Sequence, residues 1–136
     1  MLFALLTQFI PKNDIKKELA FYKFDNKTLN EIICLNSLCG EAVSDRQYDV
    51  RLLASRIGVE NAYLYYSMKK AQGDNKADLA KAVLDDTIKN GYCISLKTLS
   101  LSGKDLIALG AKPGKEMGNI LNALLEMVIK DPSLNR

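Results

Sequence analysis

Along most of this chain apolar side chains return every third or fourth position, the spacing that lines one face of a helix. Met1–Ile10 is apolar, too short to span a bilayer and without the basic start or cleavage signature of a signal peptide, so a buried helix is expected there. Pro11–Asp14 breaks it. Ile15–Phe24 carries Ile15, Leu19, Phe21, Tyr22 and Phe24 as a short helix whose period lapses at the aromatics. Asp25 and Asn26 are cap residues for a helix through Leu29, Ile32, Ile33, Leu35, Leu38 and Cys39, closed by Gly40. Ser44 with Gln47 three places on gives a capping-box pattern ahead of Tyr48, Leu52, Leu53 and Ile57, with Gly58 as the stop. Val59–Gln72 puts Ala62, Tyr65, Tyr66 and Lys69 on one face, and Ala77–Asn90 repeats Leu79, Ala80, Val83, Leu84 and Ile88 before Gly91.

Between Tyr92 and Leu101 the helical period fails. Ile94, Leu96, Leu99 and Leu101 predict an extended connector pressed against apolar surface. Ser102 then precedes G-K-D-L-I-A-L, a short helix that Gly110 ends in a left-handed conformation. Pro113 lies where the next helix begins, and Met117, Ile120, Leu121, Leu124, Leu125 and Val128 form its apolar stripe. The expected fold is all-α: a helical bundle-like body over residues 1–91, then a smaller helical tail over 92–136 with a helix-turn-helix hairpin.

A tight turn between two helices aims backbone N–H groups and the positive end of a helix dipole at one place, where an anion such as phosphate can be held. Lys104, Lys112 and Lys115 surround that place, with Gly110 and Gly114 supplying the permissive backbone of the reversal and Gly118 four residues on. The same glycines also suit a hairpin that binds nothing, with Gly118 there to let two helices pack closely. Tyr63, Tyr65 and Tyr66 could stack unpaired bases with Lys69 and Lys70 meeting phosphates, or the tyrosines could fill the core.

Composition narrows the chemistry. A net charge of +3 permits an acidic partner without demanding one. The absence of histidine excludes Ser-His and Cys-His nucleophiles. Cys34, Cys39 and Cys93 have no C-x-x-C spacing, so a metal site or disulfide framework is not expected, and free thiols fit a reducing cytoplasm. Asp85 and Asp86 are neighbours that point about 100° apart on a helix, and they read as solvated surface rather than a metal clamp. No D-x-D, Walker loop or G-x-S-x-G elbow occurs.

The run C-I-S-L-K-T-L-S-L-S-G-K-D-L-I-A-L-G-A-K-P-G-K-E-M-G-N-I-L-N-A-L-L-E-M-V-I-K-D-P-S-L-N, Cys93–Asn135, closely resembles the C-terminal tail of bacterial CCA-adding enzymes, class II tRNA nucleotidyltransferases related to bacterial poly(A) polymerases. The signature is a leucine-rich connector, G-K-D-L, G-x-x-P-G, a further glycine four residues on, and a closing P-x-L-N. Arg51–Ala71 is similar to the family's body helices, with Gln72 and Gly73 where the family usually continues in acidic residues. The resemblance implies a body and tail that hold tRNA by its acceptor and TΨC region. Lys104, Gly110, Lys112, Gly114, Lys115 and Gly118 would then be the RNA phosphate-binding residues, and Tyr66, Lys69 and Lys70 a secondary RNA contact. It also implies that catalysis belongs to a head with a D-x-D and a neck with E-D-x-x-R, which would be this chain's partners and would join at its abrupt apolar start. This chain is then expected to be non-catalytic and without a cofactor of its own, magnesium and nucleoside triphosphates belonging to the head. Two other readings stay open: a helix-hairpin-helix module gripping DNA backbone, for which G-x-x-P-G is a partial match, and a purely structural or protein-docking helical domain.

Overall fold

A computed structural model describes residues 4, 6, 7, 10, 11 and 14–136. The helix expected over Met1–Ile10 lies outside the described residues apart from Ala4, Leu6, Thr7 and Ile10, of which Ala4 and Thr7 are buried. The elements are α1 (Ile15–Ala20), α2 (Asn26–Leu38), α3 (Gln47–Ile57), α4 (Val59–Ala71), α5 (Lys76–Lys89), α6 (Gly103–Ala108), α7 (Lys115–Lys130) and a 3-10 turn at Pro132–Leu134. No strand occurs among the described residues, and the fold is all-α.

Helices α3, α4 and α5 pack on one another, α2 lies against α4, and α1 against α2. Their core is built on Leu35, Val50, Ala62, Met68, Ala80 and Leu84. The buried stripe of α5 is Ala77, Ala80, Leu84 and Thr87, rotated from the expected one, so Leu79 and Ile88 are exposed. Thr87 belongs there because its hydroxyl donates to the Val83 carbonyl at 2.8 Å and accepts from Arg51 Nε at 3.4 Å. Buried Arg51 also lies over the Tyr92 ring, 4.1 Å from its centroid, and so joins α3 to the start of the connector.

Local chemistry sets the helix ends. Asp25 caps α2 by accepting from the Thr28 N–H at 3.3 Å. The Ser44–Gln47 capping box does not form, because α3 starts at Gln47 with Arg46 in the cap position. Ser44 Oγ instead accepts from the Arg46 N–H and donates to Asp49 Oδ2 at 2.6 Å. α1 stops at Ala20, and Phe21 and Tyr22 stand exposed beyond it.

The connector is a folded loop with a turn from Ser95 to Thr98, closed by the Thr98 N–H on the Ser95 carbonyl at 3.1 Å. Cys93 and Leu99 face Leu125, Val128 and Ile129 of α7, and Tyr48 and Leu52 of α3 complete this second cluster. Leu96 and Leu101 remain exposed. The second cluster therefore draws on both sides of the division expected at residue 91. Tyr48 Oη ties the same two helices by donating to Glu126 Oε1 at 3.0 Å.

Candidate nucleic-acid interface

The tail is held to the connector by its own last residues. The Asp131 carboxylate accepts from the Ser133 N–H at 3.0 Å and from Ser133 Oγ at 2.7 Å, which starts the 3-10 turn. That turn presents Asn135, whose Oδ1 accepts from the Ser100 N–H at 2.7 Å while its Nδ2 donates to the Thr98 carbonyl at 3.1 Å. The closing asparagine of P-x-L-N is thus a clamp on the segment that enters the hairpin.

At the hairpin's start, the Asp105 carboxylate accepts from the Ser102 N–H at 2.8 Å and from Ser102 Oγ at 2.7 Å, so aspartate makes the cap. These bonds hold Asp105 below the usual carboxylate range. Leu106 is the buried anchor of α6. The helix ends as the sequence predicts: the Gly110 N–H donates to the Ile107 carbonyl and the Ala111 N–H to the Leu106 carbonyl, both at 2.9 Å. Gly110 is at φ 94°, the left-handed residue this double bond requires.

Pro113 does not begin the next helix. α7 starts two residues later at Lys115, after Gly114 at φ 150° and ψ −163°, a region open to glycine alone. Gly114 offers no side-chain cap, so the first N–H groups of α7 stay open. Met117 reaches back to Gly103, where an added Cβ would stand 3.1 Å from its Sδ, and this contact joins the starts of α6 and α7. Lys104 follows Gly103, and Lys115 precedes Met117 by two residues. Lys104, Lys112 and Lys115 are exposed, and none is in an ion pair among the described residues. Gly118 does not serve close packing, since a Cβ there would meet nothing within 4 Å.

The secondary trio is not a surface platform. Tyr66 is 2% exposed and Lys69 5% exposed. Lys69 Nζ donates to the Cys39 carbonyl at 2.6 Å and the Glu41 carbonyl at 2.5 Å, stitching α4 to the end of α2, so it does not meet phosphates. Lys70 is exposed, with its ammonium 2.9 Å from Asp78 Oδ1. Tyr63 donates to Asp85, which pushes its hydroxyl up to about 12, the hydrogen bond mattering more than burial. What the sequence reading missed was the Asn135 clamp and the partners of Lys69. The first had a signal in P-x-L-N, whereas the second joins residues 28 and 30 positions apart.

This is an all-α protein with a helical hairpin that exposes Lys104, Lys112 and Lys115. The whole chain, residues 1–136, belongs to the family tRNA nucleotidyltransferase domain 2. It is 30% identical over 121 residues to a CCA-adding enzyme of Ligilactobacillus salivarius (strain UCC118), a match covering 85% of this chain and 28% of that relative. The chain therefore corresponds to little more than a quarter of that relative's length. No solved structure matches it. Among the described residues no helix is long and apolar enough to cross a membrane.

Proposed function

We propose that this chain is a tRNA-holding, non-catalytic part of a tRNA nucleotidyltransferase that acts in the cytoplasm, and that the hairpin from Ser102 to Gly118 grips the sugar-phosphate backbone of the acceptor and TΨC region. The observation that carries this reading is the family match over all 136 residues. The hairpin supplies the chemistry. Lys115 sits in the first turn of α7, where a cation opposes the helix dipole, and an arriving phosphate turns that unfavourable placement into a favourable one. Open N–H groups of the same turn, with Lys112 and Lys104 beside them, recognise backbone rather than sequence. That is how a duplex RNA with a deep, narrow major groove is read. Glu116 and Asp105, the latter favoured as a carboxylate by its Ser102 bonds, are the opposing charges of the hairpin. Metal and nucleoside triphosphate chemistry belongs, on this reading, to head and neck domains of the enzyme this chain serves.

The test is tRNA binding by the whole chain at several salt concentrations. If about two phosphates are neutralised, affinity falls roughly tenfold between 50 and 200 mM salt. Lys112→Ala with Lys115→Ala weakens binding and leaves the far-ultraviolet circular dichroism unchanged. Equal affinity in the folded double variant refutes the hairpin assignment. A preference for duplex DNA over tRNA would favour a DNA-backbone module instead.

A further inference from the structure

A cavity of about 230 Å3 opens between α3, α4 and the segment 41–44. Typical ligand pockets run to about 300–1,000 Å3, so this one has room for one base or one ribose. Tyr65 and Tyr66 line it from α4 and are 3% and 2% exposed, yet among the described residues neither phenolic hydroxyl has a hydrogen-bond partner. Neither is sealed off, since among the described residues Asn61 Oδ1 is the fully buried side-chain polar atom without a partner. Their open side is therefore the cavity. Burial, with Glu41 and Asp74 nearby, pushes the Tyr65 hydroxyl up to about 12. Burial, with Tyr65 and Asp49 nearby, raises Tyr66 too, so both hydroxyls are available as donors at neutral pH.

The rest of the lining is dipolar. Asp49 and Arg56 lie seven residues apart on one face of α3, about 10 Å at 1.5 Å per residue, with Leu52 and Leu53 between them. Glu41 adds a second carboxylate, and Arg56 stands at the exposed rim. Asp49 is already engaged, by Ser44 Oγ at 2.6 Å and by the Arg46 guanidinium at 3.9 Å, so Glu41 and the exposed Arg56 are the charges of the lining that an entering group meets. A neutral polar ring that carries its anion outside meets donors within and a cation at the mouth.

We propose that this cavity holds one nucleotide unit, its base or ribose against the Tyr65 and Tyr66 hydroxyls and its phosphate on Arg56. The choice of a nucleotide rests on the family reading above. It also assigns a role to two hydroxyls that face the cavity without a partner among the described residues. Tyr66 thus acts through its hydroxyl and not through an exposed ring.

The experiment is a titration of the whole chain with CMP, cytidine and inorganic phosphate, followed by the NMR signals of the Tyr65 and Tyr66 rings. CMP should bind saturably and move both rings, and inorganic phosphate should not. Tyr65→Phe with Tyr66→Phe keeps the packing and should leave the unfolding midpoint unchanged or higher, while CMP affinity drops about tenfold for two lost hydrogen bonds. Arg56→Gln should weaken CMP and spare cytidine. Ring signals that stay put at millimolar CMP, or equal affinity in the double phenylalanine variant, overturn the inference. Adding tRNA distinguishes the source: displacement of CMP makes the nucleotide one of the RNA's own, and its persistence makes it a free mononucleotide. The Lys112→Ala, Lys115→Ala variant separates the two readings, because it should lose tRNA and keep CMP. In the unsubstituted chain, absence of tRNA binding alone would strike the hairpin, and absence of CMP binding alone would strike the cavity.

Discussion

Replacing Lys69 by methionine is the sharpest test of how the body is held. Lys69 is 5% exposed, and its ammonium donates to two carbonyls, those of Cys39 and Glu41, at the end of α2 and in the turn after it. A cation at that end of a helix also complements the dipole. Each charge-assisted bond contributes about 1.5–3 kcal/mol, and a carbonyl left buried without a partner costs about 1–3 kcal/mol. Two effects work against these losses: methionine removes the cost of burying an ammonium, and the exposed Glu41 turn can rehydrate its carbonyl. The net expectation is a destabilisation of about 2–4 kcal/mol. Urea unfolding followed by circular dichroism should show a lower midpoint at an unchanged slope. The control is Lys70→Met, which breaks an exposed pair with Asp78 and should cost under about 1 kcal/mol. An unchanged midpoint for Lys69→Met, combined with weaker tRNA binding, would refute this account and return Lys69 to an RNA-facing surface.

Other outcomes follow from the hairpin. Gly110→Ala should destabilise by about 1 kcal/mol through its φ of 94° alone, as a Cβ there meets nothing within 4 Å. Gly118→Ala, in ordinary helix with equal room, should stabilise by about 0.5–1 kcal/mol, and thermal unfolding of the pair checks the opposite signs. Lys115→Glu should raise the unfolding midpoint slightly by relieving the dipole conflict while weakening tRNA binding, measured on the same preparation. Asp25, Asp105 and Asp131 are all held below the ordinary carboxylate value of 3.8 by bonds to Thr28, Ser102 and Ser133 respectively. Their stabilisation is present above that value and lost as pH falls through the lower, folded values, so these three turns should lose amide protection only below about pH 4.

The elements readable from sequence were those fixed by neighbours in the chain. Asp25, Gly91 and Gly110 each settle a helix end through bonds spanning no more than five residues. Ser44 misled because Asp49, two places beyond the expected box, competes for its hydroxyl. Pro113 misled because Gly114, in a conformation other residues avoid, delays the helix to Lys115. The stripe of α5 was displaced by Arg51, which needs Thr87 on the buried side and so turns Leu79 outward. Tyr66 and Lys69 share a helix face with Ala62, and periodicity alone did not say that α2 and the turn after it cover that face. At the hairpin, the left-handed helix end at Gly110 was legible, whereas the facing hydroxyls and charges around Tyr65 require α3 and α4 to be brought together.

Both proposed sites carry a local conflict that the folded chain alone does not resolve. At the hairpin, a lysine stands at the positive end of a helix whose first N–H groups have no side-chain cap. In the cavity, the hydroxyls of two deeply buried tyrosines lack partners among the described residues. Where local chemistry and folding agree, as at Asp25, Asp105 and Asp131, substitution should reduce stability. Where they disagree, the substitutions that remove the conflict, Lys115→Glu and the two Tyr→Phe changes, should leave stability intact or raise it. The sign of the stability change, read beside the binding change, separates recognition from packing more cleanly than either measurement alone.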